Sequence, residues 1–116
     1  MDERLKLALE SANMMVTFNN QSNLLKQGYK ESCLYHQDGH RFTVNRELIN
    51  FLSTLVQRGL TEDVVVMDDS ETPFMITDVS SFLDKLFDIY VESSNEYYHN
   101  YTKLKSSRAL PKVLGI

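Results

Sequence analysis

The five-residue run His36-Gln37-Asp38-Gly39-His40 places two imidazoles beside a carboxylate, a donor set that can bind zinc or move protons. His99 and the single thiol, Cys33, are the other candidate soft ligands. A zinc ion needs at least three protein ligands converging at about 2.0–2.2 Å, and a closed structural site needs four. Asp38-Gly39 reads more simply as the centre of a tight type I′ turn, which pairs Gln37 with His40, His36 with Arg41, Tyr35 with Phe42 and Cys33 with Val44. Alternation along the strands then sends His36 and His40 to opposite faces. The spacing predicts a turn, not a metal site.

The same alternation puts Cys33 on a core face with Tyr35, Phe42 and Val44, away from His36, so it is expected as a core thiol without a base. The run Asp68-Asp69-Ser70-Glu71 lacks the twelve-residue spacing of a calcium loop and reads as a solvated turn. There is no CxxC, HExxH, GxSxG or glycine-rich phosphate loop. No catalytic, metal or cofactor-binding residues are expected, and the protein is read as a non-enzyme.

The elements that position these residues follow from periodicity. Residues 3–30 read as a long helix capped by Asp2, with Leu5, Leu9, Ala12 and Val16 in one stripe and Leu7, Met14, Phe18 and Leu25 in a neighbouring one. The hairpin follows, and Asn45 then caps a helix over 46–58 that Gly59 ends. Leu48, Phe51, Leu52, Leu55 and Val56 are expected on its inner side. VVVMD and TPFMI form a second hairpin, and Thr77 or Asp78 caps a last helix over 79–107.

The two hairpin-helix units look duplicated, with chance convergence of two amphipathic units as the alternative. Phe42 and Val44 correspond to Phe74 and Ile76, while Leu48, Phe51, Leu52, Leu55 and Val56 correspond to Val79, Phe82, Leu83, Leu86 and Phe87. The fold class is therefore α+β, ordered α-ββ-α-ββ-α. A small antiparallel sheet from the two units is expected under helices, with long N- and C-terminal helices packed together. A helix over 79–107 would be about 43 Å long, more than strands of about 17 Å can cover. Its second half must pack on the first helix or on a partner chain.

The chain has 116 residues, 42% hydrophobic and 24% charged, which suits a soluble globular domain. Its longest apolar run is Val64–Met67, and MDERLKLALE has neither the charge order nor the apolar block of a signal peptide. One cysteine fits a reducing compartment. The net charge of −4 is unevenly spread: residues 62–96 hold ten acids against Lys85 alone, whereas Lys103, Lys105, Arg108 and Lys112 close the chain without an acid. An acidic body argues against broad nucleic-acid binding.

Residues 1–108 are read as one domain and 109–116 as a docking tail. In ALPKVLGI, Pro111 is expected to stop any helix, and Leu110, Val113, Leu114 and Ile116 are too apolar for a free terminus. Together with Tyr97, Tyr98, Tyr101, Leu104, Lys105 and Arg108 they are the candidate partner-binding residues.

The order of landmarks carries a resemblance: DERLKLALESAN, the aromatic-His-x-x-Gly-x-x-Phe hairpin with its capped ELINFLSTLV helix, VVVMDDSETPFMI, and SSFLDKLFDIYVESSNEYYHNYTKLKSSR. Nearly the whole chain resembles small head-region proteins of T-even-like contractile-tailed phages, including cyanophages, associated with the prohead core. The resemblance implies non-enzymatic assembly through contacts with other phage structural proteins, with the chain itself a further candidate partner. It also implies host cytoplasm during assembly and then prohead or virion as the location. The maturation protease of such phages would find a site at Leu60-Thr61-Glu62. Cutting there would split the domain, so the chain is expected to stay intact. The alternative is a small regulatory nucleic-acid binder that uses Lys103, Lys105, Arg108 and Lys112.

Overall fold

A computed structural model describes residues 2–114, with side chains described as far as Ser107. Its elements are α1 (Glu3–Ser32), β1 (Leu34–Gln37), β2 (His40–Thr43), α2 (Arg46–Gln57), β3 (Glu62–Met67), β4 (Pro73–Asp78) and α3 (Val79–Leu114). This is the α-ββ-α-ββ-α order of an α+β chain. The chain divides into two compact units, Lys30–Asn95 and the terminal segments Met1–Tyr29 with Glu96–Ile116.

In the unit Lys30–Asn95, the first hairpin turns through Asp38 (φ 51°) and Gly39 (φ 80°). Two positive φ values in succession define a type I′ turn, whose twist matches that of the strands it joins. The register is the expected one, from Gln37 opposite His40 to Leu34 opposite Thr43, and the Val44 N–H extends it by donating to the Cys33 carbonyl at 2.7 Å. Cys33, Phe42 and Val44 are 1–3% exposed.

The second hairpin pairs Val64 with Ile76 and Val66 with Phe74. Phe42, Phe74 and Phe82 meet with ring centroids 5.4–6.2 Å apart, and Tyr35 packs edge-on to Phe82 at 6.0 Å. Phe42 and Phe74, matched between the two hairpins in the sequence, thus belong to one aromatic centre.

The two hairpins do not merge into one sheet. Each forms its own two-stranded ladder. The reason lies in Asp69, just beyond β3, which occupies the open edge of β2. Its N–H donates to the Arg41 carbonyl at 2.9 Å, and its carboxylate accepts from the Thr43 N–H at 2.9 Å. Backbone groups that would have joined a third strand are satisfied by a loop residue instead.

Both helix caps form as expected. Asn45 Oδ1 accepts from the Leu48 N–H at 2.8 Å, and Asp78 Oδ1 accepts from the Ser81 N–H at 3.1 Å. Gly59 (φ 76°) ends the turn after α2, and its N–H donates to the Val56 carbonyl.

The inner faces differ from the expected ones. In α2, Ile49, Leu52 and Leu55 are buried while Phe51 is 50% exposed; in α3, Val79, Phe82 and Leu86 are buried while Phe87 is 51% exposed. Phe51 was expected inside, and Phe87 is the residue matched to Val56 of that inner side. The helices keep similar sequences but are rotated differently over their hairpins, so matched letters do not occupy matched environments.

In the unit of terminal segments, α1 and α3 meet through aromatic rings. Tyr29 stacks on Tyr97 at 5.0 Å, and Phe18 lies edge-on to Tyr101 at 6.4 Å. Asp2 caps α1, with Oδ1 accepting from the Arg4 N–H at 3.2 Å. No residue of α1 is buried. Of the second stripe Met14, Phe18 and Leu25 are half-covered, as is Tyr29, but Leu7 is 61% exposed, and Leu5, Leu9, Ala12 and Val16 are exposed as well. At 3.6 residues per turn these stripes lie on opposite sides of the helix rather than side by side. They do not form the single broad face expected.

The expected end of the last helix at Ser107 also falls short: α3 continues through Pro111 to Leu114. Proline removes one helical donor and strains the preceding turn, but a helix can run past it.

Candidate functional site

The strongest polar constellation joins residues that sequence spacing kept apart. Asp68 Oδ2 lies 2.8 Å from His40 Nδ1, and the Ser70 and Thr72 N–H groups donate to Asp68 Oδ1 at 2.8 and 2.9 Å. A carboxylate only accepts, so Nδ1 carries the proton in this contact. Asp69, Ser70 and Glu71 are exposed, as expected of a solvated turn, while the Asp68 side chain is only 7% exposed. The Thr72 N–H is the main cause holding the Asp68 carboxyl below its ordinary pKa. Burial opposes it, and His40 and Ser70 add to the lowering.

Asp69 completes the cluster. Its Oδ2 accepts from Thr43 Oγ1 at 2.6 Å and from Arg41 Nε at 3.1 Å. Burial raises its pKa, but the Thr43 and Arg41 hydrogen bonds outweigh that and leave it below the ordinary value. His40 rests against the Phe74 ring, with centroids 4.7 Å apart. His36 is exposed and paired across the strands with Arg41, so the two histidines of the opening motif do not converge.

Among the described residues, no group of three or more His, Cys, Asp or Glu is placed to hold a metal ion. A His–Asp dyad needs a nucleophile to act as a triad, and the one thiol, Cys33, is 3% exposed. The arrangement is suited to joining two hairpins.

The candidate partner-binding residues separate into three sets. Tyr97 and Tyr101 are half-covered and lie 6.3 Å apart edge-on, and both are engaged by α1 through the Tyr29 and Phe18 contacts given above. Tyr98 is 73% exposed, Lys105 is exposed and Leu104 is half-covered. The side chains of Arg108, Leu110, Val113, Leu114 and Ile116, with the proposed tail, lie outside the described ones. Tyr29 was missed in the sequence, although it continues the spacing of Phe18 and Leu25.

Two apolar surfaces were also not foreseen as sites. One is the outward stripe of α1, where Leu5, Leu9 and Val16 are 52, 47 and 58% exposed. The other is an open groove of about 470 Å³ between α2 and β3, bordered by Phe51, Val65 and Met67. No helix among the described residues is long and apolar enough to cross a membrane.

The fold and these surfaces define an α+β chain with a polar joint between its hairpins and an uncovered apolar helix face. Comparison with protein-family models, with curated proteins and with solved structures found no match.

Proposed function

We propose that this chain is a non-enzymatic assembly protein of a contractile-tailed phage head, acting through protein–protein contacts in the prohead core or on the capsid. It would assemble in the host cytoplasm and reside in the prohead or virion. The observation that carries the contact-making role is α1: thirty residues of helix without one buried side chain, with leucines and a valine facing outward. Isolated apolar residues are ordinary on a surface, but an aligned stripe marks an interaction face. The phage assignment itself rests on the order of sequence landmarks.

The Leu60-Thr61-Glu62 segment bears on processing. The Leu60 N–H donates to the Leu55 carbonyl, the Thr61 carbonyl accepts from Val79, and Glu62 pairs with Asp78. A protease needs an extended, detachable strand, so this segment is a poor substrate in the folded chain.

Mass spectrometry of purified immature heads from the phage that encodes the chain tests the reading. The full-length chain is expected there, and its absence from both immature heads and virions overturns the assignment. The nucleic-acid alternative is tested by titrating generic DNA at rising salt. Micromolar binding with a steep salt slope, abolished by deleting residues 103–116, would replace the structural reading with the regulatory one.

A further inference from the structure

We infer that the open edge of β3, with the groove beside α2, takes an extended segment of a partner protein as an added strand, apolar at alternate positions and basic at both ends. This deepens the assembly reading and rests on it only for the setting in which the partner is met. All of this surface lies within Lys30–Asn95.

The backbone calls for a strand. The Asp68 N–H donates to the Thr72 carbonyl at 2.9 Å, and the register runs back through Val66 opposite Phe74 and Val64 opposite Ile76. Antiparallel strands alternate the direction of their bonds, so the N–H and C=O groups of Val65 and Met67 point away from β4. The second hairpin has no third strand, and among the described residues nothing bonds to these groups. Asp69 covers the edge of β2, and Pro73 blunts that of β4 by lacking an N–H. From Val64 to Met67 the edge of β3 carries no such protection.

The side chains around that edge are apolar. Val65 and Met67 are 47 and 54% exposed, and Met75, opposite Val65, is 52% exposed. Alternate residues of an added strand extend this outer face. The residues between them fall toward Leu48 and Phe51, which border the groove together with Val65 and Met67.

Charge sets the chemistry of the partner. The charged residues bordering the groove are Glu47 and Asp69, and Glu62 and Asp63 begin β3. Arg41 engages Asp69, but among the described residues no ion pair reaches Glu47, Glu62 or Asp63. These acids exclude a second copy of β3. An antiparallel two-fold about Val65 sets Glu62 against Asp68, and one about Val66 sets Asp63 against Asp69. A foreign strand with Lys or Arg at both ends meets acids at both ends instead.

The test is an NMR titration of the isotope-labelled full chain with the synthetic peptide Lys-Arg-Val-Thr-Val-Thr-Val-Arg-Lys. Saturable binding is expected, with the largest shifts and slowed hydrogen exchange at the Val65 and Met67 amides. The same peptide with Glu in place of its Lys and Arg is expected to bind at least about tenfold more weakly. N-methylation of its central amides is expected to abolish binding, because the added strand then has no donors. Met67→Lys and Phe51→Ser, both at exposed positions and checked for folding by circular dichroism, are each expected to weaken binding. No saturable shift up to millimolar peptide overturns the inference, as does equal binding by the N-methylated peptide or a set of shifts confined to other surfaces. Such a failure leaves the assembly reading to be decided on proheads. Peptide binding by a chain absent from proheads upholds the β3 edge and removes only the head assignment.

Discussion

Asp69 accepts from Arg41 Nε, the Thr43 N–H and Thr43 Oγ1 while its own amide donates to the Arg41 carbonyl, so removing its carboxylate leaves the Thr43 N–H at the open edge of β2 without its acceptor and keeps only the amide bond. Asp69→Ala is expected to cost about 1–3 kcal/mol in urea denaturation, and a change below about 0.5 kcal/mol would show that the hairpins are joined elsewhere. The pH dependence has the same origin. Asp68, Asp69 and Asp78 all have folded pKa values below their ordinary one, Asp78 chiefly through the Ser81 N–H. A lowered folded value means that the ionised form is favoured by folding. The stabilisation is complete above the unfolded value of about 3.9 and lost as pH falls through the lower folded values. Denaturation midpoints should therefore be insensitive to these groups near pH 6 and fall below about pH 4, with a smaller acid loss in Asp68→Asn. None of the joint was legible beforehand. His40 and Asp68 are 28 residues apart, and Thr43 and Asp69 are 26, so no local pattern links them.

Caps and turns behaved differently because their partners are neighbours in sequence. Asn45 reaches a backbone N–H three residues on, and Asp38-Gly39 needs only its own φ angles. Asn45→Ala is expected to lower unfolding free energy by about 1 kcal/mol, and Asn45→Ser to restore most of it. An unchanged stability in Asn45→Ala would mean that the end of α2 is held by packing alone. Helix faces were less legible than helix ends. Periodicity showed that α2 and α3 are amphipathic but left the inner edge of each stripe open, and the hairpin beneath chose Ile49 over Phe51. In α1 the two apolar stripes were visible as spacing. Their separation to opposite sides follows from helix geometry, and which one α3 covers follows from where Tyr97 and Tyr101 stand.

At the scale of the molecule, burial is concentrated. Phe42, Leu52, Val79 and Leu86 are at most 1% exposed and all lie within Lys30–Asn95, whereas α1 buries nothing. Native-state hydrogen exchange at a concentration below association should find the slowest amides around Phe42, Leu52 and Leu86, with the first half of α1 exchanging far sooner. Equal protection in both would contradict the unequal burial. The sequence alone determined the element order, the type I′ turn, the two caps and the two hairpins, because each depends on backbone conformation and contacts within a few residues. Tertiary structure decided that the hairpins stay separate ladders, that Asp68 and Asp69 hold them together, and that the Leu5–Val16 stripe faces outward. Those outcomes depend on which distant surfaces meet, and residue spacing along a chain carries no record of that.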